Sequence, residues 1–441
     1  MMKTLKNYFH RLKALLACVW YRYPSSKLIV IGITGTNGKT TTVNLTARIL
    51  EKAGFKVGMS STINFKIDRK EWQNTTHKTT LGPFQMQRLL RDMVNAGCQV
   101  AVIETSSHAI AQHRVAGVNY DVALITNVTP EHLDYHKSMK AYREEKLKLF
   151  ASLSEHNKKN GVHKISIHNS DDDDNYEAFM VFPADRKIAY GRNPRQDSRI
   201  EGRITAKNIT LHPQFTDLTI QTPKEEKTMR YFLPGDFNID NLLAAVSVAY
   251  SQGVSLETIS DALLGVHAMP GRLEAIEEGQ SFKIFIDFAL TENSFKKLLM
   301  TVRPLTTGKL WIVFGCCGDR DQKKRPKIGE ICALLADRVI VCDDEPYTED
   351  PKSIRDMILQ GIHNTAVKEN EQYFEIPDRE EAIRFAITHA RPGDSIVVPG
   401  MGDFEGRTFK DGVKPWSERQ VIRKILKERS SCETVSSELQ S

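Results

Sequence analysis

The run Leu28-Ile-Val-Ile-Gly-Ile33 leads directly into Thr34-Gly35-Thr-Asn-Gly38-Lys39-Thr40-Thr-Thr42. A short apolar run bounded by a glycine turn reads as a buried strand. Beyond the turn, Val43, Ala47, Leu50 and Ala53 recur at helical spacing until Gly54 stops the pattern. A strand, a glycine turn and a helix in that order predict an α/β fold with a phosphate-binding loop. Glycines let backbone N–H groups approach phosphate oxygens, and the helix N-terminus adds a positive partial charge. Lys39 can reach the β- and γ-phosphates, and the Thr40 hydroxyl can bind Mg²⁺. Position 33 is Ile, so the spacing departs from the usual G-x-x-x-x-G-K-T. ATP and Mg²⁺ are the expected cofactors.

Strand-like runs follow at 99–104 and 121–127, the first preceded by a helical stretch at 84–96. This alternation predicts a mostly parallel sheet. Glu104 ends the first run, at the ligand-binding edge of such a sheet, where a magnesium-binding carboxylate would stand. The second run ends at Asn127. His132, Asp134 and His136 follow within one short loop and are expected to contact metal or phosphate. Ser106-Ser-His108 lacks the G-x-S-x-G elbow of a hydrolase. Residues 160–232 read as shorter strands and turns, with the acidic run 171–174 as a solvated loop, and 238–250 as an Ala- and Leu-rich helix. After Pro270-Gly271 the alternation restarts, with strands at 282–287, 310–314, 338–342 and 395–399 and helices near 291–302, 328–336 and 378–390. That is a second, Rossmann-like doubly wound domain. The expected organisation is a basic N-terminal helix at 1–27, a central ATP-binding domain at 28–270, a C-terminal domain at 271–430 and a disordered tail at 431–441.

Composition narrows the function classes. In 441 residues, 40% hydrophobic and 26% charged, there is enough apolar surface for several cores. No apolar run approaches the ~20 residues of a spanning helix. The net charge of +6 suits anionic ligands, but no nucleic-acid recognition motif accompanies it. The seven cysteines are odd in number and lack C-x-x-C spacing, which predicts a reducing, cytoplasmic setting without a zinc ribbon or a disulfide framework. Residues 1–50 hold eight Lys or Arg and no acid. An apolar run at 14–21 follows Arg11 and Lys13. Its leading reading is a basic amphipathic helix packed on the next domain. A weak association with an anionic membrane surface is the second reading. A secretory signal is the third, without a convincing cleavage site.

The P-loop Thr34-Gly-Thr-Asn-Gly-Lys-Thr-Thr-Thr42 resembles that of the Mur ligases. The resemblance extends through Glu104-Thr-Ser-Ser-His-Ala-Ile-Ala-Gln-His-Arg114, Thr126-Asn127, Glu131-His-Leu-Asp-Tyr-His136, Gly235-Asp-Phe-Asn238, Asn241, Pro270-Gly-Arg-Leu-Glu274 and Phe314-Gly-Cys-Cys-Gly-Asp-Arg-Asp321 with Lys324-Arg-Pro326. It covers roughly 28–430 and is strongest to the MurE type. It implies a central P-loop ATPase domain, a Rossmann-like C-terminal domain, and ATP-dependent addition of an amino acid to a muramoyl-peptide precursor of peptidoglycan through an acyl phosphate. It places Gly35, Thr36, Asn37, Gly38, Lys39, Thr40, Thr41, Asn127, Asn238, Arg272 and Asp287 on the nucleotide. It places Thr40, Glu104 and His132 on magnesium, with Lys146 as a lysine carbamylated to give a further metal-binding carboxylate. Thr79, Thr80, Ser107 and Arg114 match positions that contact the muramoyl acceptor. Closure of the two domains and a monomer are also expected.

Three departures stand out. About 27 residues precede the first P-loop strand, where MurE-type enzymes carry a uridine-nucleotide domain. An acceptor without strong uridine contacts, another muramoyl compound or a lipid-linked one is therefore entertained. The D-N-P-R motif reads Asp344-Glu345-Pro-Tyr347, and G-K-G-H-E reads Gly400-Met-Gly-Asp403-Phe-Glu405. Tyr347 cannot form the bidentate ion pair an Arg makes with a distal carboxylate. Asp403 and Glu405 add negative charge, which favours a donor with a cationic side chain, such as lysine or ornithine, over diaminopimelate. Finally, D-Y-A-H-x-P reads Asp287-Phe-Ala-Leu290-Thr-Glu292, which weakens the nucleotide contacts expected of that loop. The alternatives are another Mur-superfamily ligase with a different carboxylate acceptor, or a nucleotide-binding scaffold that has lost ligation.

Overall fold

In the computed structural model, strand Ile29–Thr34 pairs in parallel with Val100–Glu104 on one side and Val122–Ile125 on the other. It is buried along nearly its whole length, which explains a continuous apolar run where a half-exposed strand would alternate. Helix Lys39–Lys52 follows, and the next strand, Val57–Ser60, lies beyond Val100–Glu104. The chain later returns to place Val122–Ile125 on the opposite side. This reversal of direction creates a crevice at the carboxyl ends of the three central strands. Gly35, Thr105 and Thr126 are the first residues past those ends. The structure describes the backbone of residues 2–76, 78–193, 195–212, 215–266 and 268–438, and side chains within them except at 2–8, 134 and 431–438.

The chain divides into two compact units, Met1–His267 and Ala268–Ser441. The first is built on an 11-stranded sheet among the described residues. The strands from Val57–Ser60 to Gly202–Leu211 run parallel, and antiparallel strands close both edges. The stretch 160–232 therefore continues this one sheet. Strands Ile165–Asn169, Arg186–Gly191 and Gly202–Leu211 extend it in parallel, and Thr216–Gln221 and Glu226–Tyr231 cap it. The acidic run 171–174 is more than a solvated loop. Asp172 accepts hydrogen bonds from Val128 N at 3.0 Å and Asn175 Nδ2 at 2.7 Å, fastening the segment that follows Asn127. Helix Phe237–Ser251, almost wholly buried, packs on helix Lys39–Lys52. At the N-terminus, helix Met2–Trp20 lies against helix Pro83–Asn95 and buries Ala14, Ala17 and Cys18.

The second unit carries a six-stranded sheet among the described residues, parallel except for the short edge strand Glu274–Ala275. Alternation splits its core cleanly. Leu310, Ile312 and Phe314 join the helices Glu292–Val302, Lys324–Leu335 and Pro351–His363 on one face. Trp311 and Val313 join Arg379–His389 and the last helix on the other. This is the expected doubly wound arrangement. The last helix runs Glu418–Glu438, so helical backbone occupies 431–438 where a disordered tail was expected, and 439–441 lie outside the described residues.

Candidate active site

Two glycines set the shape of the phosphate loop. Gly35 has φ 145° and Gly38 has φ 83°, a region that favours glycine. A Cβ at Gly35 would overlap Thr126 Oγ1, and one at Gly38 would overlap Asn241 Oδ1. The loop is clamped from the neighbouring strand end. Asn127 Oδ1 accepts from Asn37 N at 3.0 Å, Asn127 Nδ2 donates to Asn37 O at 3.1 Å, and Thr126 Oγ1 donates to the same carbonyl at 2.7 Å. Thr36 Oγ1 and Tyr142 Oη lie 3.1 Å apart. The Lys39 ammonium donates to Gly35 O at 3.1 Å and Thr36 O at 2.8 Å, so its charge stands inside the loop's curve.

Glu104 is 1% exposed. It accepts from Thr40 Oγ1 at 3.1 Å to each oxygen, from Thr62 N at 2.7 Å and from Thr62 Oγ1 at 2.9 Å. The structure thus brings the expected Thr40 and Glu104 together at the first turn of the P-loop helix. Thr62 was not read from the sequence. It lies past the end of a distant strand, and only the strand order makes it a neighbour. Lys146 is buried, donates to Gly35 O at 2.7 Å and lies 4.3 Å from the Tyr142 ring centroid. Burial holds its ammonium well below the ordinary lysine range, and the charge of Lys39 pushes in the same direction.

The histidine loop separates into distinct roles. His136 is buried, with Nε2 3.1 Å from Ser107 Oγ. His132 adopts a left-handed backbone, packs edge-on against His108 at 4.5 Å between centroids and has Nε2 3.5 Å from Glu131 Oε1. The Asp134 side chain lies outside the described residues. Among the acceptor-side positions, Thr80 Oγ1 donates to Glu104 O at 2.8 Å and accepts from Ser106 N at 3.0 Å. Arg114 donates to Thr80 O at 3.1 Å, and burial lowers its pKa. Thr79 is half-buried beside them. Thr80 and Arg114 are linked directly beside the Glu104 strand end. Asn238, expected on the nucleotide, accepts from Asn241 Nδ2 at 2.9 Å and donates to Pro234 O at 2.6 Å. Asn241 therefore connects Asn238 to the loop at Gly38.

In the second unit, Asp287 accepts from Leu273 N at 2.7 Å, and burial raises its carboxyl pKa against the opposing charge of Arg272. Arg272 stands over the Phe288 ring at 4.9 Å. Asp344 is 3% exposed, and neither of its carboxylate oxygens has a hydrogen-bond partner among the described residues. Glu345 accepts from Thr408 N at 3.0 Å. Tyr347 has φ 53°, and burial pushes its phenol up to about 12. Arg320 lies over its ring at 4.8 Å and donates to its hydroxyl at 3.3 Å, a guanidinium that the sequence reading left unassigned. Asp403 is ion-paired with Arg419 at 2.8 Å, and the same Arg binds Glu274. Arg419 shares one positive charge between two carboxylates, Asp403 and Glu274, so the group keeps a net negative charge, and Glu405 beside it is exposed.

The Mur ligase middle domain matches residues 33–249, and the Mur ligase glutamate ligase domain matches 271–402. A UDP-N-acetylmuramyl-tripeptide synthetase of Roseiflexus sp. (strain RS-1) is 39% identical over 420 residues, covering 94% of this chain and 81% of that protein. The chain belongs to the Mur ligase family. A UDP-N-acetylmuramoyl-L-alanyl-D-glutamate–2,6-diaminopimelate ligase of Geobacillus kaustophilus is 37% identical over 424 residues, 95% of this chain and 83% of that one. A solved diaminopimelate ligase structure of the same name superposes with TM-score 0.59 at 27% identity, over 91% and 79% of the two chains. Escherichia coli FolC, solved with DHPP and ADP, shares the fold at TM-score 0.67 and 17% identity, over 95% and 93%.

The donor set of this Mur ligase fits magnesium. Mg²⁺ uses one or two carboxylates and keeps water and phosphate oxygens for the rest. A hydroxyl and a buried carboxylate beside the P-loop lysine supply hard oxygens of that kind. Among the described residues no group of three or more His, Cys, Asp or Glu side chains is arranged to hold a metal ion.

Proposed function

We propose that this Mur ligase joins an amino acid to a muramoyl-peptide carboxylate in peptidoglycan precursor synthesis, with ATP as the second substrate. The Thr40–Glu104 pair, buried against the Lys39 loop, carries this reading. The acceptor carboxylate oxygen attacks the γ-phosphorus, the bond to the β-phosphate oxygen breaks, and ADP leaves. The donor amine then attacks the acyl carbon, loses a proton, and the tetrahedral intermediate expels inorganic phosphate. Lys39 neutralises charge on the transferring phosphoryl group, as a fixed cation within a preformed loop does best. Thr40 and Glu104 would hold Mg²⁺, with His132 and, once carbamylated, Lys146 as further ligands. Magnesium, when bound, neutralises phosphate charge. Thr80 and Arg114 position the muramoyl acceptor so that its carboxylate lies in line for attack.

The donor is a cationic amino acid, lysine or ornithine, in preference to diaminopimelate. Tyr347 offers no bidentate partner for a distal carboxylate, and Asp344 offers a buried carboxylate without a hydrogen-bond partner. Asp403 and Glu274 share the single charge of Arg419, so this group stays net negative. Phosphate release tests the reading. It requires acceptor, amino acid and ATP together, and Lys39→Ala abolishes it. Release by ATP alone, or unchanged release in Lys39→Ala, contradicts the assignment.

A further inference from the structure

Helix Met2–Trp20 is amphipathic in an unusual sense. Its small residues Ala14, Ala17 and Cys18 face inward, and the Cys18 thiol donates to Ala116 O at 3.5 Å. On the opposite side Phe9, Leu12, Leu16, Val19 and Trp20 recur at intervals of three and four residues. They are exposed by 63%, 48%, 56%, 58% and 76%. Large side chains face outward while small ones make the contact with the protein, the reverse of an ordinary surface helix. The helix is fixed in place, since Arg91 donates to Tyr21 O at 2.7 Å and Arg22 O at 3.0 Å. The stripe continues past the helix end through the exposed Tyr23, and Phe84 lies beside Tyr21. A continuous apolar stripe of this kind marks an interaction surface.

The surrounding charge selects the occupant. Arg11, Lys13 and Arg22 are exposed cations on this helix and just past its end, and the first fifty residues contain no acid. A second copy docked by two-fold symmetry would bring two sets of these cations together. An anionic lipid surface complements them and accepts the apolar side chains between its headgroups. Among the described residues no helix is long and apolar enough to cross a membrane, so the contact is interfacial. We propose that the outward face of this helix seats the enzyme on an anionic lipid bilayer.

Flotation of the full chain with vesicles tests this. The chain floats with phosphatidylcholine vesicles containing roughly one-third phosphatidylglycerol, and far less with phosphatidylcholine alone. The double variant L16E/W20E lowers the partition coefficient roughly tenfold or more, and R11E/K13E lowers it and removes most of its salt dependence. Both variants change exposed positions, so an unchanged thermal melt and unchanged ligation of a soluble acceptor separate lost lipid binding from misfolding. That control also separates failure here from failure of the ligase reading. The proposal is overturned if the wild-type chain does not float with anionic vesicles, if L16E/W20E floats equally well, or if L16E/W20E instead converts a stable dimer into a monomer.

Discussion

Glu104 is held by Thr40 and by both polar groups of Thr62, so its geometry is fixed before any ion arrives. A buried carboxylate retained in this way is suited to metal binding, and its charge is what matters. Glu104→Gln preserves shape and much of the hydrogen bonding. It should cut turnover roughly hundredfold or more and raise the Mg²⁺ needed for half-maximal rate, with a stability change of only about 1–2 kcal/mol. Steady-state rates against magnesium concentration, paired with a thermal melt, check both halves. Lys39→Ala should remove about 10³-fold or more of the phosphate-release rate while leaving the fold intact. The P-loop and Glu104 were legible in sequence because each stands at a fixed offset from a strand end or within a dense motif, whereas Lys146 was marked only by the family resemblance. Thr62 and Arg320 were not, because they join the site only through strand order and loop packing.

At the level of elements, the P-loop helix packs on helix Phe237–Ser251, and Gly38 just before it is crowded by Asn241. Gly38→Ala places a methyl group against Asn241 at a positive φ. It should destabilise the protein by more than about 1 kcal/mol. Adding Asn241→Gly removes the clash but not the backbone strain, so recovery should be partial, as chemical denaturation of the double variant will show. Strand Ile165–Asn169 offers a pH test. His168 is fully buried, with its ring 5.3 Å from Phe150 and Nε2 2.9 Å from Ser166 Oγ, and burial lowers its pKa to about 3. The folded state holds this ring neutral while the unfolded chain protonates near 6.5. Stability is therefore complete above that value and falls as pH drops towards 3, by up to about 1.4 kcal/mol per pH unit. His168→Asn should flatten this acid limb in denaturation measured across pH. The parallel strands were legible as apolar runs. The membership of 160–232 in the same sheet was not, since short strands carry no mark of which edge they join. Helix Pro351–His363 was likewise not read, for its apolar residues are interspersed with charges.

For the whole molecule, family membership is shown by matches that reach across both units. The class of fold was readable from alternating strands and helices. The donor was only partly readable, because the sequence does not show that Asp403 and Glu274 share one guanidinium, Arg419. Tyr347→Arg should shift donor preference towards diaminopimelate by roughly tenfold or more, by restoring a bidentate partner for the distal carboxylate. Competition between donors in one reaction measures it. The central claim, an amino-acid ligase of muramoyl peptides, is tested most directly by mass spectrometry of reactions holding ATP, Mg²⁺, UDP-N-acetylmuramoyl-dipeptide and a mixed pool of amino acids. The account predicts one new product, heavier than the acceptor by a lysine or ornithine residue and absent with Lys39→Ala. Absence of any product with this acceptor, with a non-uridylated one and with a lipid-linked one, while ATP still binds, would contradict it.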